Sequence, residues 1–234
     1  SFCVVMMLWA VSPGRVGTLL ESRWADVRKS IQDRATIELV DNFEGGSLGG
    51  WQGTGNWVRS WTFNEAGYIR PGKLALYTPS EEMQDYRLEF LTLIDRKAVN
   101  WVYRAADGLN CYVTKLVVVK PGPAPEMALV RYPVINGVEG ERTEVPIRML
   151  MHNNTPYRVQ VAVRGSDFST SIEGQLVDHW RDARLAKGGV GFFSEAGERA
   201  RIYWVKLSHQ DDFVGRLCSY MYPNPIMLRS GNLP

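Results

Sequence analysis

Apolar and polar residues alternate along most of this chain. The pattern is clearest in Tyr157–Ser208, where Tyr157, Val159, Val161 and Val163 interleave with Arg158, Gln160, Ala162 and Arg164. A period of two is that of a strand with two different faces. Gly165-Ser166-Asp167 turns the chain into Phe168–Ile172, and Glu173-Gly174 turns it again into Gln175–His179. Gly188–Phe193 and Ala200–Leu207 follow across Glu195-Ala196-Gly197-Glu198. Upstream, the same reading predicts strands at Ile37–Phe43, Trp57–Trp61, Tyr68–Ile69, Leu74–Tyr77 and Tyr86–Ile94. A hairpin is predicted for Ala98–Arg104 and Asn110–Val119, and a second pairing for Met127–Val134 with Thr143–Ile147 across Asn136-Gly137. About twelve to fourteen short strands, with a turn signal every 6–12 residues, describe a two-sheet antiparallel sandwich.

The two ends break this rhythm. Phe2–Val11 is an uncharged apolar run of ten residues, shorter than the ~20 a helix needs to cross a bilayer. It reads as the end of a membrane anchor, the remnant of a signal peptide or an apolar docking segment, with the membrane-associated reading preferred. Arg15–Ala35 reads as an amphipathic helix, with Val16, Leu19, Leu20, Trp24, Val27 and Ile31 on one stripe. Asp211–Pro234 has neither period, carries little charge after Arg216, and holds Leu217, Tyr220, Tyr222, Ile226 and Leu228. The chain therefore divides into an apolar segment and helix (1–35), a sandwich (36–209) and an extended apolar tail (210–234).

Composition narrows the function classes. The 234 residues are 45% hydrophobic and 11% aromatic, with eight tryptophans, enough for a substantial core. A net charge of +2 with scattered basic residues is not the footprint of a nucleic-acid binder. Cys3, Cys111 and Cys218 are too few and too far apart for a disulfide framework; free buried thiols are expected, with a Cys111–Cys218 bridge as the alternative. His152, His179 and His209 have no partners at metal-ligand spacing. No phosphate loop, dinucleotide fingerprint or nucleophile elbow is present, and no cofactor is expected.

The segments LVDNFEGGSLGGWQG, DYRLEFLTLID, WVYRAADGLNCYVTKL, YRVQVAVRGSDFSTSIEGQLVDHWRD and KGGVGFFSEAGERARIYWVKLS together resemble the concanavalin-A-like jelly-roll superfamily. Within it, the chain is similar to laminin-G-like and 3-keto-disaccharide hydrolase-like domains over about residues 37–208. Asp41, Phe43, Gly50 and Trp51 match the family's opening motif; Gly189, Val190, Gly191 and Phe192 match its closing strand. The resemblance implies an all-β jelly roll, and it implies glycan binding on the concave sheet. Trp101, Arg104, Tyr112 and Lys115 are then the candidate glycan-binding residues, the aromatics for stacking and the cations as donors. Trp51, Trp57 and Trp61 form a second aromatic cluster, read first as core. The resemblance also implies weak calcium candidates, Asp41 and Asp211. The Glu-x-Asp-x-x-Glu run of family 16 glycoside hydrolases has no counterpart; Glu89 and Asp95 are the nearest acidic pair on a strand.

The two apolar ends carry the leading functional expectation. It is a non-catalytic, membrane-associated sandwich, an accessory subunit docked on a membrane protein complex and lipid surface, as in a bacterial photosynthetic or respiratory assembly. Phe2, Trp9, Leu20, Trp24, Ile31, Leu217, Tyr220, Tyr222, Ile226 and Leu228 are its docking candidates. The expected location is the periplasmic or cell-envelope side of a membrane. A carbohydrate-binding module is the alternative, and a hydrolase or lyase of modified disaccharides the third.

Overall fold

The computed structural model describes residues 36–210. The docking candidates of both ends, Cys3, Cys218 and Asp211 lie outside them.

Sixteen strands are connected almost entirely by turns: β1 (Thr36–Asp41), β2 (Trp51–Gly53), β3 (Thr62–Asn64), β4 (Tyr68–Arg70), β5 (Ala75–Tyr77), β6 (Tyr86–Arg96), β7 (Ala98–Asp107), β8 (Asn110–Lys120), β9 (Glu126–Ile135), β10 (Val138–Glu139), β11 (Thr143–Pro146), β12 (Tyr157–Arg164), β13 (Asp167–Ile172), β14 (Gln175–Arg181), β15 (Gly189–Phe193) and β16 (Arg199–Gln210). They form two eight-stranded sheets. Sheet I runs β14-β13-β12-β6-β16-β4-β3, with β1 also on β16; sheet II runs β10-β9-β8-β7-β15-β5-β2, with β11 also on β9. Every recorded pairing is antiparallel. The all-β two-sheet sandwich read from the alternation is the fold observed.

The alternation works as predicted on β12, where Val159, Val161 and Val163 are fully buried while Arg158 and Arg164 are exposed. These valines meet Leu88 and Phe90 of β6 and Phe168 and Ile172 of β13 inside the sandwich. Sheet II supplies Val99, Trp101, Tyr103, Tyr112, Leu116, Leu129, Val190 and Phe192 to the same core. The hairpin turns are set by backbone chemistry. Asn136-Gly137 and Glu173-Gly174 both hold two successive positive φ values, 52° and 76° and then 49° and 77°, the geometry whose twist suits a two-residue hairpin.

One predicted strand is not a strand. Trp57–Ser60 is a single helical turn, α1. Trp57 and Trp61 are four residues apart, a spacing that puts side chains on one side of either a strand or a helix, so alternation alone does not distinguish them. Trp57 and Trp61 meet edge to face at 5.6 Å, and Trp61 stacks tilted on Trp51 at 5.3 Å. All three are buried, as the core reading of this cluster requires.

A polar strut joins the sheets beside the aromatic core. Arg131 of β9 points inward and binds Asp178 of β14 at 2.9 Å, and its guanidinium lies 4.6 Å from the Trp180 ring. Trp180 Nε1 donates to the Tyr103 hydroxyl at 2.9 Å. A buried ion pair adds little net stability, but removing one partner leaves the other charge desolvated. Asp178→Ala should therefore lower the unfolding free energy in urea by about 3–5 kcal/mol, while Arg131→Met with Asp178→Leu should recover most of that loss. Equal losses in both variants would mean that the strut acts by packing and not by charge.

Candidate functional site

Trp101, Tyr103, Tyr112 and Leu116 face the inter-sheet core. Strand parity then puts Asn100, Val102, Cys111, Val113 and Lys115 on the outward face of sheet II. On β9, Tyr132 is the Cα partner of Val113 and Val134 that of Cys111. Val102, Ala105, Cys111, Val113, Tyr132 and Val134 form a second apolar cluster there, flanked by Leu74, Leu76, Val130 and Phe193.

A polar group is built into this apolar face. Asn100 and Lys115 are Cα partners across the β7–β8 hairpin. The β15–β16 turn folds back over them and brings two carboxylates: Lys115 Nζ lies 2.8 Å from Glu195 and 2.9 Å from Glu198. Asn100 Nδ2 donates to Glu198 at 2.5 Å and to the Phe193 carbonyl at 3.3 Å. The Glu195 backbone N–H donates to Glu198 at 2.9 Å. A nearly buried ammonium is tolerated only when paired, and here it is paired twice. Asn100 Oδ1 is buried with no hydrogen-bond partner among the described residues. Beside this group Arg142 lies over the Tyr132 ring at 4.5 Å, held by Glu139 at 2.6 Å. The side chains of Glu195 and Arg142 are about half exposed, at 47% and 52%, so they form the accessible rim.

The electrostatics of Glu198 are set by its hydrogen bonds. Burial by itself raises the pKa of Glu198, but hydrogen bonds from Asn100, Lys115 and the Glu195 N–H outweigh it and leave the group below the usual glutamate value. Two carboxylates share one ammonium here, and a retaining glycosidase also works with a pair of carboxylates. A general acid, however, needs a raised pKa, and Glu198 is shifted the other way. Burial pushes the Tyr132 hydroxyl up to about 12 and the Cys111 thiol up to about 12. Among the described residues Cys111 has no disulfide partner, and burial keeps its thiol neutral at ordinary pH. The arrangement offers a buried apolar base with hydrogen-bonding groups of both kinds at its rim.

Of the residues singled out from the sequence, only Lys115 stands on this face. Trp101 and Tyr112 are fully buried between the sheets, closed to a ligand. Tyr112 donates to Asp182 at 2.9 Å and accepts the Leu185 N–H at 3.0 Å, tying down the loop after β14. Arg104 also departs from the expected polar face. Its backbone has φ 51° and the β7–β8 register shifts between Tyr103 and Asp107, so its side chain is buried. There Nη2 donates to the Gly165 carbonyl at 2.7 Å, and Asp85 lies at 3.6 Å. Asp41, the calcium candidate within the described residues, accepts the Phe43 N–H at 2.9 Å and the Trp51 indole N–H at 2.7 Å. His152 and His179 are exposed. Asn100, Tyr132, Arg142, Glu195 and Glu198 were not marked as site residues in the sequence. Their one legible signal is the parity that places Asn100 beside Lys115.

No family model matches the sequence, and no curated protein matches it. Solved structures do match the fold. A carbohydrate-binding module, CBM66 from Bacillus subtilis, is 17% identical with a TM-score of 0.52, over 67% of this chain and 94% of that one. A prokaryotic β-1,3-1,4-glucanase (lichenase) from a mouse hindgut metagenome is 9% identical with a TM-score of 0.52, over 73% and 98%. A putative glycosyl hydrolase from Parabacteroides distasonis is 11% identical with a TM-score of 0.54, over 74% and 94%.

The fold is a concanavalin-A-like jelly roll.

These matches correct the leading functional expectation. An accessory subunit of a membrane complex, photosynthetic or respiratory, has no support among them; the proteins that share this fold are named for binding or cleaving carbohydrate. The apolar ends that motivated the membrane reading lie outside the described residues and supply nothing against this correction.

The lowered pKa of Glu198 has a measurable consequence. A carboxylate whose folded pKa is depressed stabilises the fold above its unfolded value and loses that contribution as pH falls through the folded one. Glu198→Gln should therefore be destabilising at pH 7, by about 1–3 kcal/mol for a lost charged hydrogen-bond set, and the deficit should shrink below about pH 4. Urea midpoints at pH 7 and pH 3 measure it. A deficit independent of pH would show that the carboxylate charge is not what matters.

Proposed function

We propose that this jelly roll binds a neutral glycan on the outward face of sheet II and does not cleave it. The observation that carries the proposal is the cluster of Asn100, Lys115, Glu195 and Glu198, which presents Glu195 and Arg142 at the surface above the buried Val113 and Tyr132. Sugar rings present apolar C–H faces and a fringe of hydroxyls, each both donor and acceptor. A site for them needs an apolar floor with donors and acceptors close by. Glu195 and Arg142, each about half exposed, supply the accessible acceptor and donor, while the buried Asn100 and Lys115 hold the carboxylates in place. The carbohydrate-binding module and glucanases that share the fold support the choice of ligand class.

Binding is preferred to hydrolysis because of Glu198. It is the better buried of the two carboxylates, yet its pKa is lowered, and its oxygens are taken by Asn100, Lys115 and the Glu195 N–H. It has no proton to give a leaving group at neutral pH.

Calorimetric titration of the full chain with β-1,3-1,4-glucan oligosaccharides tests both parts. Saturable binding is expected, weakened about tenfold by Glu195→Gln or by Arg142→Ala, as the loss of one charged hydrogen bond implies. Both residues are exposed, so neither variant should shift the melting temperature appreciably. No affinity for any neutral glycan would sink the proposal. New reducing ends, abolished by Glu198→Gln, would replace binding with cleavage.

A further inference from the structure

A second charged surface lies on the outward face of sheet I, built with the signs reversed. Asp95 sits near the end of β6 where the register slips: Ala200 is the Cα partner of Ile94, and Arg199 that of Arg96. Two residues of β6 thus stand opposite one of β16, which is a bulge with Asp95 as the extra residue. Ala200 and Ile94 face the core. The next pair, Arg96 and Arg199, therefore faces outward, and the bulge turns Asp95 the same way. Asp95 is gripped from both sides, by Arg201 at 2.7 Å and by Arg70 of β4 at 3.3 Å. Both guanidinium groups also lie against the Tyr68 ring, at 5.0 Å for Arg70 and 5.1 Å for Arg201, and Tyr203 meets Tyr68 edge-on at 5.7 Å. Lys97 follows in the β6–β7 turn, where its Nζ approaches Gly197.

The charges here do not balance. Arg70, Arg96, Lys97, Arg199 and Arg201 surround a single carboxylate. Asp95 is already shared between Arg70 and Arg201. Among the described residues, no carboxylate lies within ion-pair distance of the exposed Arg96, Lys97 or Arg199. Like charges placed directly opposite on neighbouring strands destabilise a sheet, and Arg96 and Arg199 are so placed. Such a pair is at odds with folding alone and fits a surface whose counter-charge comes from outside.

We propose that this surface docks an anionic polysaccharide. Arginine presents a planar fork that matches carboxylate oxygens two at a time, and four of the cations are arginines. Tyr68 is buried among them and holds the two guanidinium groups in place, and the partly exposed Tyr203 adds flat apolar surface, which a sugar backbone uses and a simple anion does not. Two of the arginines are already committed to Asp95, so the free charge is small beside the 6–10 phosphate contacts of a duplex-DNA binder. The surface adjoins the neutral-glycan site at the β15–β16 turn, where Lys97 approaches Gly197, but it uses different side chains, so variants at Arg96 and Arg199 test it apart from those at Glu195 and Arg142.

The test uses the full chain and four probes: polygalacturonate, dextran sulfate, neutral dextran and a single-stranded DNA oligonucleotide, with affinity read by fluorescence anisotropy or affinity electrophoresis. Polygalacturonate or dextran sulfate should bind, with affinity falling as NaCl rises from about 50 to 300 mM, and neutral dextran should not compete. A preference for polygalacturonate assigns recognition to carboxylate, the reverse preference to sulfate. Arg199→Glu should cut binding at least tenfold while keeping or raising the melting temperature, because it replaces a repulsive pair with an attractive one. Arg96→Gln should weaken binding less, in the same direction. A charge-reversed protein that is stable and binds as before would overturn the proposal, and so would DNA binding as tight as that of the polysaccharides.

Discussion

The aromatic seam of β7 and β8 fixes most of what this protein can do. Trp101, Tyr103 and Tyr112 fill the space between the sheets, packed against Phe90 at 5.3 Å and Phe168 at 5.3 and 5.0 Å. Large rings of this kind are costly to expose, and a one-residue slip of either strand would turn all of them to solvent. The register is therefore pinned, and the residues between the rings have no choice of side. Asn100 and Lys115 face outward because Trp101 and Leu116 must face inward. The polar cluster of sheet II is, in this sense, a consequence of the core.

The two outward faces repeat one motif with opposite charge. On sheet II a single ammonium, Lys115, is held between Glu195 and Glu198. On sheet I a single carboxylate, Asp95, is held between Arg70 and Arg201. In each case the central ion is the less exposed one, at 7% for Lys115 and 16% for Asp95. Part of the surrounding charge is left over, with Glu195 on one face and Arg96, Lys97 and Arg199 on the other. The pKa directions agree: hydrogen bonding to Asp95 raises Arg201, and hydrogen bonds from Asn100 and Lys115 lower Glu198 against the opposing effect of burial.

The fold was legible in the sequence because alternation and turn residues are local. Val159, Val161 and Val163 announce their strand, and Asn136-Gly137 and Glu173-Gly174 announce their hairpins. The site was legible only in part. Alternation says that Trp101 and Asn100 lie on opposite faces; it does not say which face meets the second sheet, and the structure makes the aromatics core and not ligand-facing. Arg104 was misplaced for a different reason: its positive φ and the register shift beside it change its side, and nothing local in the sequence marks them. Glu195 and Glu198 join Lys115 from 80 and 83 residues away, a proximity that the pairing of β15 with β7 creates. Trp57–Trp61 failed as a strand because four-residue spacing serves both periods.

The central claim is that the outward face of sheet II receives a neutral glycan. Backbone amide shifts recorded by two-dimensional NMR during titration with a β-1,3-1,4-glucan oligosaccharide test it most directly. Saturable shifts are expected at Asn100, Val113, Lys115, Tyr132, Arg142 and the Glu195–Glu198 turn, with sheet I unmoved. Shifts confined to sheet I, or none at saturating oligosaccharide, would contradict it.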